Sequence, residues 1–150
     1  MELKVIPVLQ VLIAMALMTL LSYYFPALHY SAALSIIVAI LLLFIALVIA
    51  FFAIYSFKKH KTTVNPTKPE TSSEVVNSGI YQYSRNPMYL AMLLALIAYA
   101  CYLENPLNFT VCGLFIGYIT RYQITPEERM LTKLFGQDYR DYKASVRRWL

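Results

Sequence analysis

Four long apolar stretches alternate with polar segments along the chain, and their lengths predict its elements. They cover residues 5–25, 31–57, 87–103 and 107–123. A helix of about 20 apolar residues crosses the roughly 30 Å hydrocarbon core of a bilayer. The pattern therefore predicts four membrane-spanning helices. A cleaved signal peptide competes for the first stretch, although its 21 uncharged residues exceed the about 7–15 residues typical of a signal peptide's apolar region.

The polar segments between the stretches predict how the helices are connected. Only residues 26–30 separate the first two stretches, and only 104–106 separate the last two, so each pair is expected to form a hairpin. Segment 58–86 is longer and contains Lys, Pro, Ser and Thr, which predicts a loop. The predicted fold class is an all-α polytopic membrane protein, with residues 1–150 as a single domain.

The segment after the fourth stretch has the pattern of amphipathic helices. Two such helices are expected within residues 126–148, with Gly136 ending the first of them. The second helix places its large apolar side chains on one face, at Tyr139, Tyr142, Val146 and Trp149. These helices are predicted to lie on the membrane surface or to pack against the protein.

Composition and charge exclude several classes of protein. The chain is 59% hydrophobic and 14% charged, against about 25% charged residues in ordinary soluble domains. It lacks clustered Cys and His residues, a phosphate-binding glycine loop and a nucleic-acid-binding signature, so a metal site and nucleic acid are not expected. The oligomeric state is left open.

The positions of the basic residues predict the orientation in the membrane. All 13 Lys and Arg residues lie at the N-terminus, in segment 58–86 or from Arg121 onward, and neither short connector contains one. Because basic residues concentrate on the cytoplasmic side, both termini and segment 58–86 are expected there. The bilayer is the first predicted partner.

Residues 79–89 form the first group with possible chemical use. Asn86 and Pro87 fit the cap and the first position of a helix, and Arg85 fits a side chain that reaches lipid headgroups. The functional interpretation is a pocket rim built from a glycine turn, aromatic rings and a helix N-terminus with free N–H groups.

Residues 125–128 form the second group. Thr125, Pro126 and Glu128 fit the start of a helix, with Thr125 as a capping residue. Glu127 and Glu128 also border the apolar face of that helix, and a carboxylate in such a place needs a partner. Arg121 is the predicted partner.

Together these segments resemble the superfamily of isoprenylcysteine carboxyl methyltransferases and phospholipid methyltransferases, which are integral membrane enzymes. The resemblance covers about residues 60–148. The family often has Arg-His-Pro where this chain has Arg85, Asn86 and Pro87, so a role of the histidine ring is not carried over. The matching residues lie at 62–66, 78–81, 84–90, 127–128, 131, 135–136, 139, 142 and 146.

The resemblance implies methyl transfer from S-adenosylmethionine to a lipophilic acceptor, such as a prenylcysteine carboxylate, a lipid amine or a small hydrophobic molecule. It implies a cytosolic active site, in which we expect Glu127, Glu128 and Arg121 in catalytic roles. Arg121 is expected to steer an acceptor carboxylate or to brace the two acids. The residues expected to contact the cofactor are Gly79, Tyr81, Arg85, Asn86, Pro87, Tyr89, Leu90, Glu127 and Glu128.

Two other functions are compatible with the sequence. The chain is a non-catalytic assembly or lipid-binding module if helix capping and contact with lipid headgroups fully explain residues 85–87 and 125–128. It is a membrane reductase if its C-terminal region resembles sterol reductases more closely, in which case NADPH is the cofactor.

The short turn 104–106 also predicts where the two groups lie. Because this turn makes the third and fourth helices antiparallel neighbours, segment 85–89 and Glu127 with Glu128 are expected to meet at one face. Buried glutamates without partners are costly, so a bound ligand is expected to supply those partners.

Overall fold

Six α-helices make up most of the structure, a computed structural model that describes residues 6–25, 32–59 and 75–150. No strand occurs within these ranges, so the predicted helical class is confirmed for them. The connector 26–30, most of the predicted loop 58–86 and the first five residues lie outside the described residues. The helices are α1 Pro7–Tyr24, α2 Ala32–Lys59, α3 Pro87–Tyr102, α4 Asn108–Ile119, α5 Thr125–Phe135 and α6 Gln137–Ser145.

Helices α1 and α2 are long and apolar enough to cross a membrane, judged by length and composition. They have 18 and 28 residues, and many of their large apolar side chains point outward. Phe44 and Leu47, for example, are 64% and 62% exposed. Helix α3 is a shorter apolar helix of 16 residues. The third and fourth spans therefore stay predictions.

Helix α3 lies at the centre of the fold. Its buried side chains run from Pro87 to Ala100, and it packs against α1, α2 and α4. The α2–α3 interface is built from small residues that recur every seven positions, which lets the two backbones approach closely. They are Ala39, Ala46 and Ala53 on α2, and Ala91 and Ala98 on α3.

Buried polar contacts connect the end of α1 to the turn between α3 and α4. The Asn105 side chain donates a hydrogen bond of 2.7 Å to the carbonyl of Phe25. The Asn108 side chain donates one of 2.9 Å to Ser22. Because buried amide groups are costly without partners, these contacts determine which ends of the helices lie together.

A π-helical turn over Thr120–Ile124 joins α4 to α5 without a break. The prediction that Thr125 caps a new helix is therefore wrong, because its backbone is helical and it makes no capping bond. Pro126 explains the π turn: its nitrogen carries no hydrogen, and its ring clashes with the carbonyl four residues earlier. A wider turn before it removes this conflict.

The last helix is shorter than predicted. Gly136 ends α5 with a φ of 56°, as expected, but α6 stops at Ser145 and Val146 is extended. Val146 and Trp149 are therefore not on a helical face with Tyr139 and Tyr142. Trp149 packs instead against the core formed by α1, α3 and α4.

Gly79, at the start of the Gly79–Gln82 3₁₀ turn, is a second glycine with a positive φ, and here a side chain would also meet a neighbouring helix. Gly79 has a φ of +61°, and a Cβ there would lie 3.1 Å from the hydroxyl of Ser56 on α2. We expect Gly79→Ala to lower the free energy of unfolding by about 1–2 kcal/mol, because an L side chain is strained at this φ.

The measurement is denaturant unfolding of the detergent-purified protein, with Gly113→Ala as the matched control. Gly113 lies within α4, and a Cβ there meets nothing within 4 Å. Equal stability of the two variants would show that the turn tolerates a side chain.

Candidate active site

Two segments that lie about 40 residues apart in the sequence meet at one end of α3. The Nη2 of Arg85 lies 2.8 Å from Oε1 of Glu128. The hydroxyl of Tyr89 donates a hydrogen bond of 2.5 Å to Oε1 of Glu127. The predicted proximity of the two groups is therefore confirmed. It follows from the antiparallel arrangement of α3 and the continuous helix α4–α5.

Glu128 is a buried carboxylate between two guanidinium groups. Arg148 donates to it twice, from Nε to Oε1 at 3.0 Å and from Nη2 to Oε2 at 2.7 Å. The Glu128 side chain is 6% exposed and that of Arg85 9%. Burial opposes ionisation of Glu128, but the Arg148 hydrogen bonds and the Arg85 charge outweigh it, so the pKa of the Glu128 carboxyl is lowered.

Arg85 also holds the end of the chain in place. Its Nη1 donates to the carbonyls of Lys143 and Val146 at 2.8 and 3.0 Å, and its backbone N–H donates to the carbonyl of Arg147. The interpretation of Arg85 as a side chain directed at lipid headgroups is therefore wrong. It is a buried connector between the start of α3 and the segment after α6.

Asn86 occupies the predicted cap position of α3, but its side chain does not cap the helix. It donates a hydrogen bond of 2.9 Å to the carbonyl of Arg148. The Asn86 N–H donates a hydrogen bond of 3.2 Å to the hydroxyl of Ser84, and Pro87 has no N–H. The N–H groups of this helix start that have no described side-chain partner are therefore those of Met88 and Tyr89.

Glu127 has a different environment from its neighbour. The carboxyl is partly buried and accepts hydrogen bonds on Oε1 from Tyr89 and from the Gln123 side chain at 3.0 Å. Burial raises the pKa of Glu127 to about 7, and the Glu128 charge adds to this effect, while the two hydrogen bonds reduce it. No described residue binds its Oε2.

Gln123 is a site residue that sequence reasoning missed. It lies in the π turn and is 1% exposed. A π turn contains one residue more than an α-helical turn, so the residues around it are rotated by about 100° relative to a regular helix. Pro126 was the available signal, because a proline inside a helical pattern predicts a local irregularity.

Arg121 is not part of the cluster. Its side chain is exposed, and among the described residues no ion pair joins it to Glu127 or Glu128. The prediction that Arg121 braces the two acids is wrong, because Arg85 and Arg148 occupy that place. Sequence reasoning missed Arg148 because a helix that continued through Val146 and Trp149 would place Arg148 off its apolar face, whereas α6 ends at Ser145.

The other predicted cofactor contacts surround the cluster. Tyr81 is buried, with its ring edge-on to Phe57, and its carbonyl accepts a hydrogen bond of 2.8 Å from the hydroxyl of Tyr142. Pro87 and Leu90 are buried in α3. Burial also raises the pKa of Tyr81 and Tyr142, so both are neutral hydrogen-bonding groups.

A cavity of about 920 Å³ opens between segment 75–82 and α6, and none of the predicted site residues lines it. Tyr142 lines this cavity, and its hydroxyl also donates a hydrogen bond to the carbonyl of Tyr81, one of the predicted cofactor contacts. Its lining residues are Val75, Asn77, Gln82, Phe135, Asp138, Asp141, Tyr142, Ser145 and Val146.

Comparisons with known proteins relate this geometry to a family. The chain is 46% identical over 63 residues to an uncharacterised protein of Haemophilus influenzae, a match that covers 42% of this chain and all of the relative. It is 35% identical over 72 residues to a protein-S-isoprenylcysteine O-methyltransferase of Dictyostelium discoideum, covering 48% of this chain and 30% of that enzyme. The corresponding enzyme of Saccharomyces cerevisiae is 31% identical over 80 residues, which cover 53% of this chain and 34% of the enzyme.

The chain thus spans about a third of the length of these two methyltransferases. No solved structure matches it. The model of the phospholipid methyltransferase family matches residues 34–138, which is more than two thirds of the chain and includes both glutamates. The chain therefore belongs to the phospholipid methyltransferase family.

Proposed function

We propose that this protein is an S-adenosylmethionine-dependent methyltransferase that acts on a lipophilic acceptor at the cytosolic face of a membrane. The observation that carries the proposal is the pair of adjacent glutamates on α5, one ion-paired and one with a carboxylate oxygen that no described residue binds. Both lie where apolar helices meet the polar end of the chain. Membership of the family and the names of the two curated relatives support the same activity.

The groups around the cluster fit the chemistry of the cofactor. Glu127 offers an anionic oxygen to an ammonium group, and the first turn of α3 offers the N–H groups of Met88 and Tyr89 and positive potential to an anion. Tyr89 binds Glu127 through its hydroxyl, and Tyr81 is buried in the 3₁₀ turn that precedes α3. We propose Gly79, Pro87 and Leu90 as residues that shape this site, because they form the turn and the first turns of α3.

When bound, S-adenosylmethionine supplies a methyl group on a sulfonium sulfur, which an acceptor atom takes as the carbon–sulfur bond breaks. Such a displacement depends on alignment and on exclusion of water, and it needs no strong base of its own. The role of this chain is therefore to hold the groups that bind the cofactor in a fixed orientation. Tyr89 and Gln123 fix the Glu127 carboxyl, while Glu128 fixes the two arginines.

The two glutamates therefore have separate roles in the proposal. Glu128 already accepts bonds from Arg85 and Arg148 on both oxygens, so it is a positioning residue. Glu127 keeps one oxygen for a ligand and is the residue that contacts it. Arg121 is exposed, and we propose it only as a residue that steers an acceptor carboxylate.

A lipophilic acceptor is expected to reach this site from the bilayer, between the helices. We propose four spans, formed by α1, α2, α3 and α4 with its π turn, as one domain with both termini and the site on the cytosolic side. Large apolar side chains exposed on α1, α2 and α4 support this arrangement, with Leu114 on α4 at 73% exposure. The two acceptor classes of the family, a prenylcysteine carboxylate and a lipid amine, both belong to lipophilic molecules and fit this route of entry.

A non-catalytic membrane module is the second candidate. One observation favours it: Glu128 and Arg85 are paired entirely within the protein, as in a purely structural contact. The two functions differ in whether Glu127 binds a ligand.

Calorimetric titration of the detergent-purified protein with S-adenosylhomocysteine tests the proposal. We expect measurable binding, and a loss of at least about tenfold in Glu127→Gln, because a neutral amide loses a charge-assisted hydrogen bond to the ammonium group. Glu104→Gln is the matched control, since it makes the same change at the other end of α3. Folded wild-type protein that binds nothing at millimolar ligand would favour the non-catalytic module.

The affinity for S-adenosylhomocysteine is also expected to depend on pH. Because the pKa of Glu127 is raised to about 7, its carboxylate is mostly protonated at pH 6 and mostly ionised at pH 8. The dissociation constant is therefore expected to fall about tenfold from pH 6 to pH 8, as the fraction of the competent ionised form rises. In Glu127→Gln this dependence should disappear. A pH dependence retained in that variant would assign the titration to another group.

A further inference from the structure

Arg148 has more hydrogen-bonding capacity than its contacts use. Its Nε and Nη2 bind the two oxygens of Glu128, and its side chain is 38% exposed whereas that of Glu128 is 6% exposed. A guanidinium has five N–H donors. Within the described part of the chain, no hydrogen bond occupies the Nη1 of Arg148. One edge of the group is therefore buried against a carboxylate, and the opposite edge is open.

Glu128 lies between the two guanidinium groups of Arg85 and Arg148. Arg85 is buried, and both of its terminal nitrogens already bind oxygens of the protein. Of the two arginines, Arg148 is therefore the one with an accessible guanidinium edge.

The position of Arg148 is held from two sides. Its guanidinium makes a two-point contact with Glu128, and its carbonyl accepts a hydrogen bond from Asn86. An arginine held in this way loses little side-chain entropy when it binds an anion, and its planar fork matches a carboxylate. Glu127 and Glu128 are consecutive residues of α5. Glu128 therefore holds the Arg148 guanidinium next to the residue whose second oxygen no described residue binds.

We propose that Arg148 is the carboxylate-binding residue of the site and recognises the carboxylate of the cofactor's amino-acid end. This inference rests on the proposed function, and it adds a specificity residue from the segment after α6. Glu127 then takes the ammonium group and Arg148 the carboxylate, so the pair selects a zwitterionic amino-acid end over either charge alone.

The test compares two ligands that differ only in this carboxylate. The ligands are S-adenosylhomocysteine and its decarboxylated analogue, and their dissociation constants are measured by calorimetry on the full-length protein. In wild type we expect S-adenosylhomocysteine to bind at least about tenfold more tightly. In Arg148→Gln the ratio of the two dissociation constants should fall to about one.

Arg140→Gln is the control, because it removes the same charge from an exposed position of α6. It should keep the wild-type preference. The ratio of two dissociation constants within one variant does not depend on the fraction of folded protein, so partial unfolding of Arg148→Gln does not obscure the result.

Two outcomes would overturn the inference and leave the proposed function in place. One is a wild-type preference retained in Arg148→Gln, and the other is an equal loss of affinity for both ligands, which would make Arg148 a structural contact. Wild-type protein that binds neither ligand would overturn both the inference and the proposed function.

Discussion

The Glu128 carboxylate connects three parts of the chain that are distant in sequence. It binds Arg85 before α3 and Arg148 after α6, while itself belonging to α5. Removal of one partner from a buried ion pair typically costs about 3–5 kcal/mol, because a charge is left without compensation. Arg85 adds bonds to three backbone carbonyls of residues 143–147, so the loss of Glu128 would also release the end of the chain.

This internal pairing leaves the chemistry to the neighbouring residue. Without Arg85 and Arg148, two adjacent carboxylates would repel each other and both would need a ligand. With them, Glu128 is ionised and satisfied, whereas Glu127 has one oxygen that no described residue binds. The expectation that the glutamates depend on a ligand for their partners was therefore wrong for Glu128. The protein supplies those partners, and the proposed binding function belongs to Glu127 and Arg148.

The hydrophobic pattern was sufficient to predict the helices and the meeting of residues 85–89 with Glu127 and Glu128, because a short turn leaves two apolar helices only one way to pack. It was not sufficient to predict which cation pairs with Glu128. That choice depends on the π turn before Pro126, which rotates the glutamates, and on the end of α6 at Ser145, which directs Arg148 inward. Pro126 was a local signal for the π turn, but the hydrophobic periodicity predicts neither that turn nor the end of α6.

Hydrogen–deuterium exchange of Glu128→Gln, compared with Glu127→Gln, tests most directly whether Glu128 joins the parts of the site. The amide of Arg85 binds the carbonyl of Arg147, and the amide of Val146 binds that of Tyr142, so both report on the end of the chain. We expect Glu128→Gln to lose protection at residues 84–86 and 142–147 together, and Glu127→Gln to keep it. Unchanged protection of both segments in Glu128→Gln would contradict the account.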